Sequence, residues 1–277
     1  MQYARLALVF AVVSPWLRGQ APAPAAKLGS TVFHYEQLAA KPSGVGERRD
    51  LTDGPTPTFL RFESHASMLL PGKMSHPPHQ HPQEEVIVLL EGTLDASING
   101  TVTRAGPGSL LFFASNDFHN VTNVGPTPAR YTVFNFTTAA TGTLAGRSAA
   151  QLAAPGKLGS TVFDWAKLAV KTTATGERRD VVDLPTTTLA KFECHVTTLG
   201  PHEAPHAPHH HPDEEIVLVK EGKLEVMING AKTTAGPGSV IFAASGEEHG
   251  WHNAGDTTAT YYVFRISTEA TPPAPAH

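Results

Sequence analysis

Apolar positions in this chain fall in short runs and short alternations, with little at helical spacing. Thr93-Leu94-Asp95-Ala96-Ser97-Ile98 alternates apolar with small or polar residues, the two-residue period of a half-buried strand. Asn99-Gly100 follows, a pair that accepts the positive φ angles of a type I′ hairpin turn. The apolar run after Glu85, then Leu110-Leu111-Phe112-Phe113, then Tyr131-Thr132-Val133-Phe134-Asn135-Phe136, predict further buried strands. Helical patterning is weak: Tyr35 to Ala40 and Trp165 to Val170 each predict a short helix, and Arg147 to Leu152 a turn or two. Many short strands between Gly- and Pro-rich turns predict an all-β sandwich or barrel.

The same pattern is used twice. Lys27-Leu28-Gly29-Ser30-Thr31-Val32-Phe33 recurs as Lys157 to Phe163, and Gly46-Glu47-Arg48-Arg49-Asp50 as Gly176 to Asp180. Ile98-Asn99-Gly100 and Ala105 to Ser109 recur as Ile228 to Gly230 and Ala235 to Ser239, always 130 residues on (157 − 27, for example). A constant offset means a duplicated domain with no net insertion. The expected organisation is a segment over 1–25, domains over 27–137 and 157–267, a small-residue linker over 138–156, and a disordered tail over 268–277.

Composition narrows the function classes. With 277 residues, 24 Gly and 23 Pro, the chain suits two turn-rich domains. A formal net charge of −4 gives no electrostatic support to nucleic-acid binding. Arg5, the apolar run Leu6 to Val13 and the small residues to Ala25 read as a signal peptide, too short and too interrupted for a membrane span. The expectation is a secreted or periplasmic protein with no membrane part in its mature form. Cys194, the only cysteine, excludes an intrachain disulfide and suits a packing role, since its counterpart is Ser64.

The candidate chemistry lies in His79-Gln80-His81-Pro82-Gln83-Glu84-Glu85 and its twin His209-His210-His211-Pro212-Asp213-Glu214-Glu215. On a strand, side chains two apart share a face, so His79, His81 and Glu85 can converge, as can His209, His211 and Glu215. One further His recurs in both copies behind an apolar strand and a turn, His119 and His249, the natural fourth ligand. Glu84 and Glu214 have the opposite parity and are expected to face outward, as is His210. His76 and His206 read as rim residues; His202 and His252 read as surface residues. Arg48 and Arg178 fit either an anion clamp or, more simply, an ion-pair cluster.

These residues resemble the cupin superfamily. The first cupin motif, His-x-His, then Glu, then Gly, matches His79, His81, Glu85 and Gly92, and again His209, His211, Glu215 and Gly222. The second matches His119 with Asn123, and His249 with Asn253. Departures fall at turn positions: Ala114 and Ala244 stand for the motif Pro, Asn116 for its Gly, and the leading Gly is displaced to Gly72 without a clear counterpart. The resemblance implies two tandem jelly-roll (double-stranded β-helix) barrels, a bicupin, with a divalent metal in each mouth. Three imidazoles and a carboxylate suit Mn, Fe, Ni, Cu or Zn, and an octahedral ion would keep two positions for substrate or O₂. The family implies a metalloenzyme acting on a small oxygen-rich molecule, of quercetinase-type dioxygenase or oxalate-degrading type. In the former, Glu85 or Glu215 would double as catalytic base. A hydrolase resembling ureidoglycine aminohydrolase, and a non-catalytic metal- or small-molecule-binding cupin, are the alternatives. A small-molecule substrate is expected, and a homo-oligomer is left open.

Overall fold

The computed structural model describes residues 25–274. The segment read as a signal peptide lies almost wholly outside them, as does the end of the tail. Among the described residues no helix is long and apolar enough to cross a membrane.

Each half forms a seven-stranded antiparallel sheet faced by a three-stranded one. In the first half, Glu84–Glu91 lies between Ala129–Thr137 and Leu110–Phe113, and Arg61–Leu69 and Gly46–Gly54 continue beyond Ala129–Thr137. The smaller sheet places Leu94–Ile98 between Thr101–Ala105 and His119–Asn123. The predicted hairpin turn is present, with Asn99 at φ 49° and Gly100 at φ 83°. The expected short helices are 3-10 turns, Tyr35–Gln37 and Trp165–Lys167. All of this repeats in the second half.

The seventh strand of each large sheet is borrowed. Thr31–Phe33 pairs with Val240–Ala243 of the second half, and Thr161–Phe163 pairs with Leu110–Phe113 of the first. The repeated Lys-Leu-Gly-Ser-Thr-Val-Phe is therefore an exchanged arm. Its serine completes the exchange: Ala114 N–H donates to Ser160 Oγ at 2.7 Å, and Ala244 N–H to Ser30 Oγ at 2.8 Å. A proline at 114 or 244 would have no N–H to donate, which accounts for that departure from the motif. Gly108, at φ 88°, lets the other half approach: a Cβ there would meet the Trp165 ring at 2.5 Å.

The two barrels also share a core. Besides an apolar cluster inside each barrel, a third spans both large sheets on their outer faces, with Phe62 against Phe242 at 5.7 Å and Phe134 against Phe264 at 5.5 Å between ring centroids. Cys194 packs here, fully buried, and burial pushes its thiol well above the ordinary range.

This shared face corrects the reading of Glu84 and Glu214. Their parity is opposite to the ligand glutamates, as expected, but the outer face is an interface and both are completely buried. Glu84 accepts from the Thr186 hydroxyl, from Thr187 N–H at 2.9 Å and from the Thr188 hydroxyl at 2.6 Å. Glu214 accepts from Thr56 Oγ1 at 2.8 Å and Thr58 N–H at 2.9 Å. The linker is likewise fitted to the first barrel: Leu144 and Leu152 are buried, and Asn116 Nδ2 donates to the carbonyls of Leu144 and Arg147. Asn116 sits at φ 62°, a left-handed position that Asn tolerates, in place of the motif glycine. Thr268, at the start of the expected tail, is buried and donates to Thr58 O at 3.1 Å.

Candidate metal centres

His79 and His81 lie in the extended segment just ahead of Glu84–Glu91, and a backbone bridge positions them. His119 N–H donates to His79 O at 2.9 Å and His79 N–H to His119 O at 3.2 Å; Asn116 N–H holds His81 O at 2.8 Å. The second half repeats this with His209, His249, Gly246 and His211. The result is two triads, His79/His81/His119 and His209/His211/His249, each with its ligating nitrogens within 4.8 Å of one another. Each barrel therefore carries one metal-binding group.

The ring orientations suit a cation. His119 Nδ1 donates to Asp117 O at 2.8 Å, His81 Nδ1 to Gln83 O at 3.0 Å, His249 Nδ1 to Glu247 O at 2.9 Å and His211 Nδ1 to Asp213 O at 3.0 Å. Fixing Nδ1 as the donor leaves the Nε2 lone pair for a metal. His119 Nε2 and His249 Nε2 are buried without a hydrogen-bond partner among the described residues, a costly state that a bound ion would relieve. Glu85 joins the first triad, 3.6 Å from His81 Nε2 and 3.9 Å from His119 Nε2; Glu215 is 2.9 Å from His211 Nε2.

The electrostatics agree. Burial lowers the pKa of His79, His119 and His249, favouring the neutral, ligating form, and lowers His209 to about 4. For His81 burial is outweighed by Glu85, and the net shift is upward. Burial would raise Glu85 and Glu215, but the neighbouring imidazoles reverse it, holding both carboxylates ionised. Residues holding an ion by these nitrogens and carboxylates fit a divalent transition metal.

Each group opens into a cavity, of about 460 Å³ in the first barrel and 690 Å³ in the second. His76 and His206 are exposed at the rims, their rings 4.0 and 4.4 Å from those of His79 and His209. His210 is exposed, as its parity predicts, while His202 occupies the left-handed counterpart of Gly72, at φ 62° against 70°. His252 is half-buried, 3.9 Å from Glu225. Arg48 reaches the first cavity wall with its charge engaged: Nε donates to Asp50 at 2.5 Å and Nη2 to Glu63 at 2.7 Å. Arg178 repeats the arrangement with Asp180 and Glu193. The arginines are thus in ion-pair clusters that extend to the cavities.

Sequence reasoning missed the rest of the lining. Glu63, His65 and Tyr131 line the first cavity; His195 and Tyr261, two of their counterparts, line the second. The signal was the same 130-residue offset, which pairs Glu-x-His at 63–65 with 193–195.

Solved structures with this fold cover most of the chain. The crystal structure of AerE from Microcystis aeruginosa is 16% identical, with a TM-score of 0.63 over 83% of this chain and 97% of its own. A serine-to-alanine variant of Bacillus subtilis oxalate decarboxylase is 12% identical, with a TM-score of 0.64 over 90% and 80%. A further structure of that enzyme, 14% identical with a TM-score of 0.63 over 90% and 80%, is described with Mn(II) centres. No curated protein matches the sequence. The Cupin domain family matches twice, over residues 67–135 and 195–265. Those regions hold both triads and together span half of the chain, which belongs to the cupin family as a metal-binding bicupin.

Proposed function

We propose that the protein is a metal-dependent enzyme acting on a small molecule that bears an ionisable hydroxyl next to a second oxygen, as in quercetinase-type dioxygenases. The observation that carries this reading is the composition of the first cavity. His79, His81, His119 and Glu85 converge at one wall, while the two arginines of the lining are already paired, Arg48 with Asp50 and Glu63 and Arg61 with Asp53. A dianion would find no unpaired arginine there. A hydroxyl-bearing ligand would lose nothing by that and has carboxylates and imidazoles to receive its proton. A divalent ion in the group supplies Lewis acidity and, for Mn or Fe, a redox couple. The chain's own part is to hold the ligand against Phe113, Ile87 and Val133, keep bulk water out, and take the proton.

The second barrel favours an oxalate-type reading. Arg265 stands where the first barrel has Asn135 and lines the cavity; its Nη2 donates to Asp213 at 2.7 Å, while Nε, 4.0 Å from Glu215, is buried without a hydrogen-bond partner among the described residues. With one hydrogen-bonded carboxylate where Arg48 has two, Arg265 keeps donor capacity for a carboxylate ligand. The Mn(II) centres of the oxalate decarboxylase with this fold make Mn(II) the first ion to test. Secretion or a periplasmic location belongs to the proposal and rests on residues 1–25; Edman sequencing of the mature protein should begin after Ala25.

The test is turnover by the metal-loaded chain. We expect oxygen uptake with flavonols or catechols. Carbon dioxide release from oxalate with no oxygen uptake would overturn the leading reading in favour of the second. No turnover of either class with both groups loaded would point to a binding protein.

A further inference from the structure

The strand Arg61–Leu69 brings a second functional pair to the cavity, outside the metal group. Glu63, His65 and Ser67 share its inner face, and the register runs Glu63, Asn135, Glu85 across the sheet, so the pair sits two strands from the ligand glutamate. His65 Nδ1 donates to Glu63 Oε1 at 2.8 Å; Arg48 Nη2 donates to the same oxygen at 2.7 Å and Asn135 Nδ2 to Oε2 at 2.9 Å. The carboxylate is buried and fully engaged, so the ring cannot turn without breaking a charged bond. Burial works against the charge on Glu63, but the bonds from His65 and Asn135, with Arg48 nearby, hold its pKa below the ordinary value. Nδ1 being the donor, Nε2 is the nitrogen that His65 offers to the cavity. The second barrel keeps the pair: His195 Nδ1 donates to Glu193 Oε1 at 2.7 Å, and Arg178 Nη2 to that oxygen at 3.2 Å.

We propose that His65 is the proton acceptor of the first cavity, oriented by Glu63, and takes the hydroxyl proton of a ligand held at the His79/His81/His119 group. This rests on the hydroxyl-ligand reading above and assigns its base. Glu85 is poorly suited to that role, because its oxygens lie among the ligating nitrogens and a carboxylate bound to a cation is a weaker base. In the transfer the ligand O–H bond breaks, the N–H bond forms at Nε2, and the electron pair stays on the ligand oxygen. Glu63 offsets the imidazolium charge, and the proton leaves with the product. An aspartate or glutamate orienting a histidine base is a general device for fixing tautomer and stabilising the cation.

The test uses the full chain carrying His209→Ala, so that the first group alone binds Mn(II), with 4-nitrocatechol as probe. Its absorption reports both binding and ionisation. The parent should bind the catechol in ionised form. H65Q should keep its Mn(II) but bind about tenfold more weakly, with a smaller ionised fraction at the same pH. E63Q, which keeps the side-chain volume, should fall between them. Unchanged binding and ionisation in H65Q with Mn(II) retained would overturn the role of His65 and leave the metal reading intact. Loss of Mn(II) in H65Q would also overturn it, since His65 would then act through the metal group. A loaded parent that does not bind the catechol would overturn the hydroxyl-ligand reading and this role with it.

Discussion

The two barrels are copies that have kept one part of the site and changed another. Both hold the His triad, the glutamate beside it, the His–Glu pair and the tyrosine. They differ in the groups around these. Phe113 stacks on His119 at 4.4 Å in the first barrel, where the second has Ala243 at that position. Trp251 instead lies over His249 at 6.0 Å, where the first has Val121. Gln83 and Asn135 become Asp213 and Arg265, joined at 2.7 Å. The metal-binding residues are thus the same in both barrels, while the lining around them differs in size and charge. Two metal groups in one chain therefore do not imply two equal activities.

The sharpest way to break that comparison is to remove one group at a time. H79A and H209A should each cost one bound ion, read by metal analysis, and one of them should lower turnover at least about 100-fold while the other has a much smaller effect. Equal losses in both would make the barrels functionally equivalent.

The inter-barrel seam can be compared next. A Cβ on Gly108 would meet Trp165 at 2.5 Å, and one on Gly238 would meet Tyr35 at 2.9 Å, both at positive φ. Combining backbone strain with overpacking, G108A should destabilise by about 3 kcal/mol in denaturant unfolding, and G238A by less.

The seam also carries a pH dependence. Burial raises Glu214 from its ordinary 4.5 to about 7, outweighing its bonds to Thr56 and Thr58, and raises Glu84 in the same direction. A carboxyl whose folded pKa lies above its unfolded one binds the proton more tightly when folded. Its stabilisation is complete below the unfolded value and is lost as pH rises through about 7. The lowered pKa values of His79, His119, His209 and His249 act oppositely, so the variant must be read against the parent. E214Q should be insensitive to this loss, gaining about 3 kcal/mol on the parent between acid and neutral pH.

The smallest expected effect sharpens the ligand difference. R265N should weaken binding of a small dicarboxylate to the second barrel by about tenfold, with metal content unchanged. N135R should strengthen it in the first.

Much of this site was legible in the sequence because metal ligation needs particular atoms at particular spacings. His79, His81 and Glu85 are separated by even intervals, and the 130-residue repeat supplied His119 and His249. What stayed hidden depends on faces covered by another part of the chain. Parity told that Glu84 points away from Glu85, but not that another barrel lies there. The arm exchange was invisible because Thr31–Phe33 suits either half equally well. Its trace was present in Ala114 and Ala244, where the motif proline gives way to a residue with an N–H to donate. His65 was overlooked for a different reason. Glu-x-His on a strand has no distinctive spacing; the 130-residue repeat marks it twice, but the bond to Glu63 and the shared cavity are what reveal its role.

The central claim is that each barrel holds a transition ion through its three histidines. Metal analysis of the full chain, purified from the compartment where it matures and compared with H79A, H209A and the double variant, tests it directly. The account predicts two ions per chain in the parent, one in each single variant and none in the double. A parent that binds no transition ion at any tested concentration, or a double variant that retains both, would contradict it.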